Sequence, residues 1–369
     1  MSTNNTNNKL MRNVSCILGL PFDSINMEET IDRVHFSANN NIPLFISTPN
    51  LNFLIASQKK SSFKNSVINS DLSVADGKPL IWIARLLNVD IPERVAGSDL
   101  IEGLIKNEKG YKALKVYFFG GEAGVGETAC NVLNYSESGL ECVGHFYPGF
   151  GSIDDMSSKN IIDNINQSGA DFIIVSLGAK KGQAWIEKNR SKLQAPITSH
   201  LGAVVNFIAG TVNRSPKLFQ KMGLEWLWRI KEEPALWKRY FFDGLSLIFL
   251  FIFKVMPLTL LIKFRTKTKK VIKPKISESE SVLSVELDGY CDSSKYIEID
   301  QAVSELNHLS KNVKITLKKD SYVDLTFIAS LQILKNKLSL DDRELHIISK
   351  SSYSTKLFYY SCCEYLLMK

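Results

Sequence analysis

The chain has 369 residues, 44% hydrophobic and 22% charged. That excludes a disordered or low-complexity protein and is long enough for two or three domains. The net charge of +7 is unevenly spread: Lys254, Lys263, Arg265, Lys267, Lys269, Lys270, Lys273 and Lys275 fall in one stretch without an acid, a block suited to a polyanionic surface of lipid or nucleic acid.

Residues 1–14 are polar and read as disordered, with no signal peptide behind them. A short apolar strand is expected over 15–20, a helix over 27–39 and a strand over 44–47. Thr48-Pro49-Asn50 ends that strand before a helix from Leu51. Thr48 and Asn50 either start this helix or present a hydroxyl and an amide at the strand's carboxyl edge, where open α/β sheets bind ligands. The next strand, 72–75, ends on Asp76-Gly77, and Lys78-Pro79 leads into a helix over 80–87. Asp76 is either a helix cap or a carboxylate set on a turn for chemistry.

Ser98 or Asp99 is expected to cap a helix over 100–106. Arg94, beside Gly97, is either solvated or a phosphate ligand. A buried strand over 114–119 runs straight into Gly120-Gly121-Glu122-Ala123-Gly124-Val125-Gly126. Glycines between a strand and a helix let backbone N–H groups approach a phosphate, although a plain tight turn has the same composition. Another strand, 142–147, ends in Pro148-Gly149-Phe150-Gly151, and a helical period covers 156–166. The apolar strand 171–177 precedes Gly178-Ala179-Lys180-Lys181-Gly182-Gln183, with a helix opening at Trp185 and a last strand at 196–199. His35, His145 and His200 have no nucleophile near them in sequence and read as structural. The six cysteines form no CxxC pair and no metal-like cluster, and read as reduced thiols of a cytoplasmic protein.

Strand and helix thus alternate about six times between 15 and 210, the pattern of a mainly parallel sheet with helices on both faces. Its carboxyl edge gathers Thr48, Asn50, Asp76, Gly120, Gly121, Phe150, Lys181 and Gln183, a set suited to a nucleotide diphosphate. Residues 211–270 change character. Arg214, Arg229 and Arg239 alternate with Trp226, Trp228, Trp237 and Tyr240, and Glu225, Glu232 and Glu233 weaken a nucleic-acid reading. An apolar run over 245–262 holds one charge, Lys254, and Pro257. It can span a bilayer, lie in one leaflet or be a core helix; the basic block behind it favours a monotopic segment at a cytoplasmic leaflet. A linker over 271–280 leads to a small α/β domain over 281–369.

Together these residues resemble the WecG/TagA/CpsF glycosyltransferases. The resemblance rests on Thr48-Pro49-Asn50, Ala75-Asp76-Gly77, Arg94 to Leu100, Phe119-Gly120-Gly121, Gly149-Phe150, Leu201-Gly202-Ala203, Arg214-Ser215-Pro216 and Gly223 to Arg229. It implies inverting transfer from a UDP-sugar to a polyprenyl-diphosphate-linked sugar, with no metal or other cofactor, by a peripheral enzyme of the inner or plasma membrane in cell-surface polysaccharide synthesis. The sugar implied is N-acetylmannosamine or a related hexose or uronic acid. The matching residues would be Asp76 as general base, with Thr48, Asn50, Arg94, Gly97, Asp99, Gly120, Gly121, Phe150, Lys181, Gln183, Arg214 and Arg229 in the substrate pocket. The sequence departs from the family at Gly178 to Gln183 and at Asn206. The tail resembles a STAS domain through Leu287-Asp288-Gly289 and Tyr322 to Thr326, with Leu325 where a phosphorylatable serine is common, and implies a protein partner. Homo-oligomerisation stays open, and no nucleic acid is expected. A transferase-like scaffold tethering the tail to a membrane is the alternative function.

Overall fold

The computed structural model describes residues 12–135, 137–265, 274–279, 281–305 and 311–368. Most of the polar start and Lys267, Lys269, Lys270 and Lys273 of the basic block therefore lie outside the described residues.

The chain opens with an antiparallel hairpin, β1 (Val14–Ile17) and β2 (Leu20–Asp23). One strand was expected here; the turn at Leu18-Gly19 makes two, and Pro21 sits inside the second. Arg12 holds Asp23 at 2.8 Å, so order begins before residue 14.

The main sheet has six parallel strands: β3 (Leu44–Ser47), β4 (Leu72–Ser73), β5 (Leu114–Gly120), β6 (Leu140–Phe146), β7 (Phe172–Ser176) and β8 (Ile197–His200). Their order is β4-β3-β8-β7-β5-β6. The central strands are apolar on both sides because both are covered. Val116, Phe118, Phe172 and Ile174 pack under the Gly97–Lys106, Val125–Tyr135 and Val204–Ala209 helices. Tyr117, Phe119, Ile173 and Val175 meet Trp185 and Ile186 of the Ala179–Asn189 helix on the other face. Cys130 and Cys142 lie side by side on the Val125–Tyr135 helix and β6 and are joined as a disulfide. The expectation of six reduced thiols is corrected to four free ones, Cys16, Cys291, Cys362 and Cys363, because that helix packs directly on the strand that follows it.

Pro234–Lys263 forms one 30-residue rod, with a π-helical turn at Phe251–Val255. Phe241, Leu245, Ile248, Ile252, Met256 and Leu260 form its outer stripe, each 48–58% exposed. Asp243, Val255 and Leu258 are buried on the inner side. The extra residue of a π-turn shifts the register of the following face. Here it turns Lys254 inward, where Nζ donates to the Tyr359 carbonyl at 2.7 Å and lies 3.6 Å from the Tyr359 ring centre. The one charge in the apolar run thus faces protein.

The tail is an α/β unit. Its sheet comprises β9 (Lys275–Glu278), β10 (Val282–Leu287), β12 (Asn312–Leu317) and β14 (Leu345–Ser349) in the order β14-β12-β10-β9, with β9 antiparallel. A short parallel pair, β11 (Tyr290–Cys291) and β13 (Tyr322–Val323), lies beside it. β9 falls in the expected linker: Ile276 and Ser277 pair with Val285 and Ser284, so that stretch is an edge strand. The Leu325–Leu340 helix is buried nearly all round, as a central helix must be. It packs on the N-terminal hairpin, where Gln332 donates to the Gly19 carbonyl at 2.9 Å and Cys16 and Cys363 sulfurs lie 3.5 Å apart. Hairpin, rod and tail share one apolar cluster.

Candidate active site

Asp76 ends the segment after β4. Its backbone N–H donates to the Pro49 carbonyl at 2.9 Å, and Val95 N–H donates to the Ala75 carbonyl at 2.9 Å. These two bonds fix the Asp76 turn between the β3 turn and the Arg94 loop. The Lys78–Leu86 helix that follows has Gly77 as its N-cap and no side-chain cap. The capping reading of Asp76 is therefore excluded. Among the described residues, no donor lies within hydrogen-bond range of its carboxyl. Burial pushes the carboxyl up to about 7; the Arg94 and Arg214 charges pull it down, and those of Glu225 and Asp99 push it up. A carboxyl that titrates near neutrality can accept a proton without being a spent acid at working pH.

Around it stands an ionic cluster drawn from two parts of the chain. Arg94 donates to Asp99 at 2.6 Å and to Glu225. Arg214 donates to Asp99 and Glu102. Glu225 and Arg214 belong to the segment after the sheet, so the cluster ties that segment down beside Asp76. Glu225 carries no sequence signal for this role, since its partner lies 131 positions away. Asp99 sits in the first turn of the Gly97–Lys106 helix, whose N-cap is Ala96 without a side-chain cap. The expected Ser98 or Asp99 cap is corrected accordingly: the arginines hold the Asp99 carboxylate outside the helix axis. Lysine cannot serve two carboxylates as a planar fork does. Arg94→Lys is expected to lower kcat/KM roughly 10- to 100-fold with little change in fold, checked by steady-state kinetics and melting.

Gly97 packs closely on Leu201 and Thr48. A Cβ there would lie 2.6 Å from Leu201 Cδ2, and Thr48 Oγ1 is its next polar neighbour at 3.7 Å. Thr48 is buried, and Asn50 caps the Leu51–Lys59 helix, accepting from the Phe53 N–H at 3.2 Å. At the end of β5, Gly120 has φ +99°, and a Cβ would lie 2.6 Å from the Ser176 carbonyl oxygen. Gly120→Ala is expected to cost about 2–4 kcal/mol of stability, read by urea denaturation. Gly121 (φ +84°) follows, with its N–H donating to that carbonyl at 2.8 Å.

The remaining residues are scattered. Lys181 Nζ donates to the Gly151 carbonyl at 2.9 Å. Gln183 is fully buried and donates to Ser47 Oγ at 3.0 Å. Both lie in a helix that opens at Ala179, six residues ahead of the expected start at Trp185. Phe150 is 99% exposed. Arg229 pairs with Glu233 at 2.9 Å and stacks over Phe207. His200 is buried at the end of β8 with Nε2 unpartnered, and burial lowers it to about 4, so it is neutral.

The sequence model of the glycosyl transferase WecG/TagA/CpsF family matches residues 15–259. An N-acetylglucosaminyldiphosphoundecaprenol N-acetyl-beta-D-mannosaminyltransferase of Staphylococcus aureus strain MRSA252 is 25% identical over 241 residues, covering 65% of this chain and 91% of that one. The protein of the same name from Bacillus spizizenii strain W23 is 25% identical over 195 residues, 53% of this chain and 74% of its own. The matched span takes in the whole six-stranded sheet, the Asp76 turn and most of the apolar rod, and on that match the chain belongs to the WecG/TagA/CpsF family of glycosyltransferases.

Proposed function

We propose that this chain is an inverting glycosyltransferase that moves an N-acetylhexosamine from a UDP-sugar to a polyprenyl-diphosphate-linked sugar. The acceptor hydroxyl oxygen attacks the anomeric carbon as the bond from that carbon to the diphosphate oxygen breaks. Asp76 takes the hydroxyl proton, and UDP leaves with the bonding electrons. The observation that carries this reading is the Asp76 carboxyl itself: it caps nothing, accepts no hydrogen bond among the described residues and titrates near 7. The Arg214 fork is the group suited to the charge that grows on the departing diphosphate, because the Gly121 N–H is already given to the Ser176 carbonyl. A bound diphosphate has to take over hydrogen bonds that Arg214 gives to Asp99 and Glu102. The names of the bacterial relatives supply the sugars: N-acetylmannosamine transferred to N-acetylglucosaminyl-diphosphoundecaprenol.

The rod supports a monotopic seat at the cytoplasmic leaflet. The rod packs Asp243, Val255 and Leu258 into protein and leaves a broad apolar surface outside, since Phe242, Phe249 and Phe253 are exposed beside the outer stripe; a helix held to protein along one side and apolar along the rest suits a seat in one leaflet. For the tail, the order of parallel strands and helices from β10 onward supports the STAS-like reading and a docking or regulatory role.

The purified chain is expected to convert labelled UDP-N-acetylmannosamine and the lipid-linked N-acetylglucosamine into a lipid-extractable disaccharide. No product with any UDP-N-acetylhexosamine rejects the transferase reading.

A further inference from the structure

We infer that the cleft between the Leu51–Lys59, Ala179–Asn189 and Trp237–Leu250 helices binds the diphosphate of the lipid acceptor at the bilayer surface, an assignment that rests on the transferase reading above. The cleft encloses about 470 Å³. Lys59, Lys180, Lys181 and Arg239 line it, with Asn52, one acid, Asp243, and an apolar floor that includes Ile55 and Leu177. Asp243 is buried, and its carboxylate accepts from Asn52 Nδ2 at 3.0 Å. Lys59, Lys180 and Arg239 pair with no carboxylate among the described residues; Arg239 stacks over Tyr240, and Lys181 donates to the Gly151 carbonyl. Four cations face one acid that is already engaged. Gly178 (φ +74°) also lines the cleft and opens the Ala179–Asn189 helix, which has no side-chain cap. Its free amides and dipole add to the positive field. The chemistry is that of a diphosphate site.

The surroundings choose between a soluble diphosphate and a lipid one. Arg239 lies two positions before Phe241, at the head of the outer stripe that continues through Leu245, Ile248 and Ile252. A polyprenyl chain leaving the cleft runs straight onto apolar side chains; a nucleotide has no use for them. The cleft also lies on the opposite face of the sheet from the Gly97–Lys106 helix, which carries Asp99 and Glu102 of the arginine cluster. Asn52 stands three residues after Pro49, whose carbonyl holds the Asp76 N–H. Two anions can therefore approach Asp76 from opposite sides of the carboxyl edge, as two diphosphate-bearing substrates must.

The test is flotation of the full chain with phosphatidylcholine vesicles. One set carries undecaprenyl diphosphate and the other phosphatidylglycerol at matched charge. The unmodified chain is expected to favour the diphosphate vesicles by at least about tenfold. Lys59→Ala/Lys180→Ala/Arg239→Ala is expected to bind both sets alike while melting with the parent. No preference in the parent, or an intact preference in a folded triple variant, overturns the assignment. Inorganic pyrophosphate binding that is lost in the triple variant while the lipid preference stays assigns the cleft to a soluble anion and also overturns it. A chain that transfers sugar without lipid preference removes this inference alone. A chain with the preference and no transfer removes the transferase reading and leaves the cleft assigned.

Discussion

Asp76→Asn is expected to lower kcat by about 10³-fold, the range that a positioned general base contributes, while UDP binding stays within about twofold. The amide keeps the shape of the carboxyl and loses only the proton-accepting role. Full turnover in this variant removes Asp76 from the chemistry. The pH profile provides a second reading of the same group. A base with a pKa of about 7 is half ionised there, so kcat/KM is expected to rise with pH and level off above about 8, falling tenfold per unit on the acid side. Stability moves the other way. The folded carboxyl keeps its proton up to about 7, whereas an unfolded aspartate loses it near its ordinary value of 3.8. Between those values the unfolded chain binds fewer protons, so stability is greatest below the lower value and declines as pH rises through the upper one. The full shift corresponds to at most about 4 kcal/mol, and solvent reaching the half-buried carboxyl reduces it to about 1–2 kcal/mol. Asp76→Asn removes that penalty. At pH 8 it is expected to melt about 2–4 °C above the parent while being inactive. A variant that is inactive and less stable at pH 8 points to a structural Asp76.

The second large effect concerns the rod. Deleting it is a poor test, because Val255 and Leu258 are buried in the cluster that unites hairpin and tail, and Lys254 is bonded to Tyr359. Substituting the outer stripe leaves those contacts untouched. Leu245→Ser/Ile248→Ser/Ile252→Ser is expected to weaken binding to anionic vesicles by about 10³-fold at unchanged melting temperature, since each residue forfeits roughly 1.5 kcal/mol of apolar transfer on average. Undiminished sedimentation with vesicles shows that the stripe is not the membrane contact. High salt is expected to weaken the parent only in part, because the apolar contribution is not screened while attraction of the basic residues is.

Much of the sheet was legible in the residues. Runs such as Val116 to Phe119 and Phe172 to Val175 are apolar without alternation, which only a doubly covered strand tolerates. Turn residues then marked each carboxyl end, so Asp76, Gly120 and Gly121 could be placed at one edge before any coordinates. Local reading failed where the reason was distant. The second hairpin strand, Leu20–Asp23, contains a proline and gains its place by pairing with Val14–Ile17 and packing beneath the Leu325–Leu340 helix. The strand Lys275–Glu278 reads as a linker because its Lys/Ser/Glu composition suits an exposed sheet edge equally well. Lys254 is a lone charge in an apolar run by sequence, and its partner, Tyr359, is reached only through the π-turn of the folded rod.

The alternating α/β order, the carboxyl-edge position of Asp76 and the apolar segment beside a basic block are all legible along the chain, because periodicity and turn chemistry are local properties. It takes the folded molecule to show that Asp76 caps no helix, that Arg94 and Arg214 are gripped by Asp99, Glu102 and Glu225, and that Lys59, Lys180 and Arg239 share a cleft with the head of the apolar stripe. Apart from Arg94 and Asp99, five positions apart, those are encounters between residues tens to more than a hundred positions apart. Burial and charge, which set the proton affinity of a carboxyl, depend on such encounters and not on the neighbours along the chain.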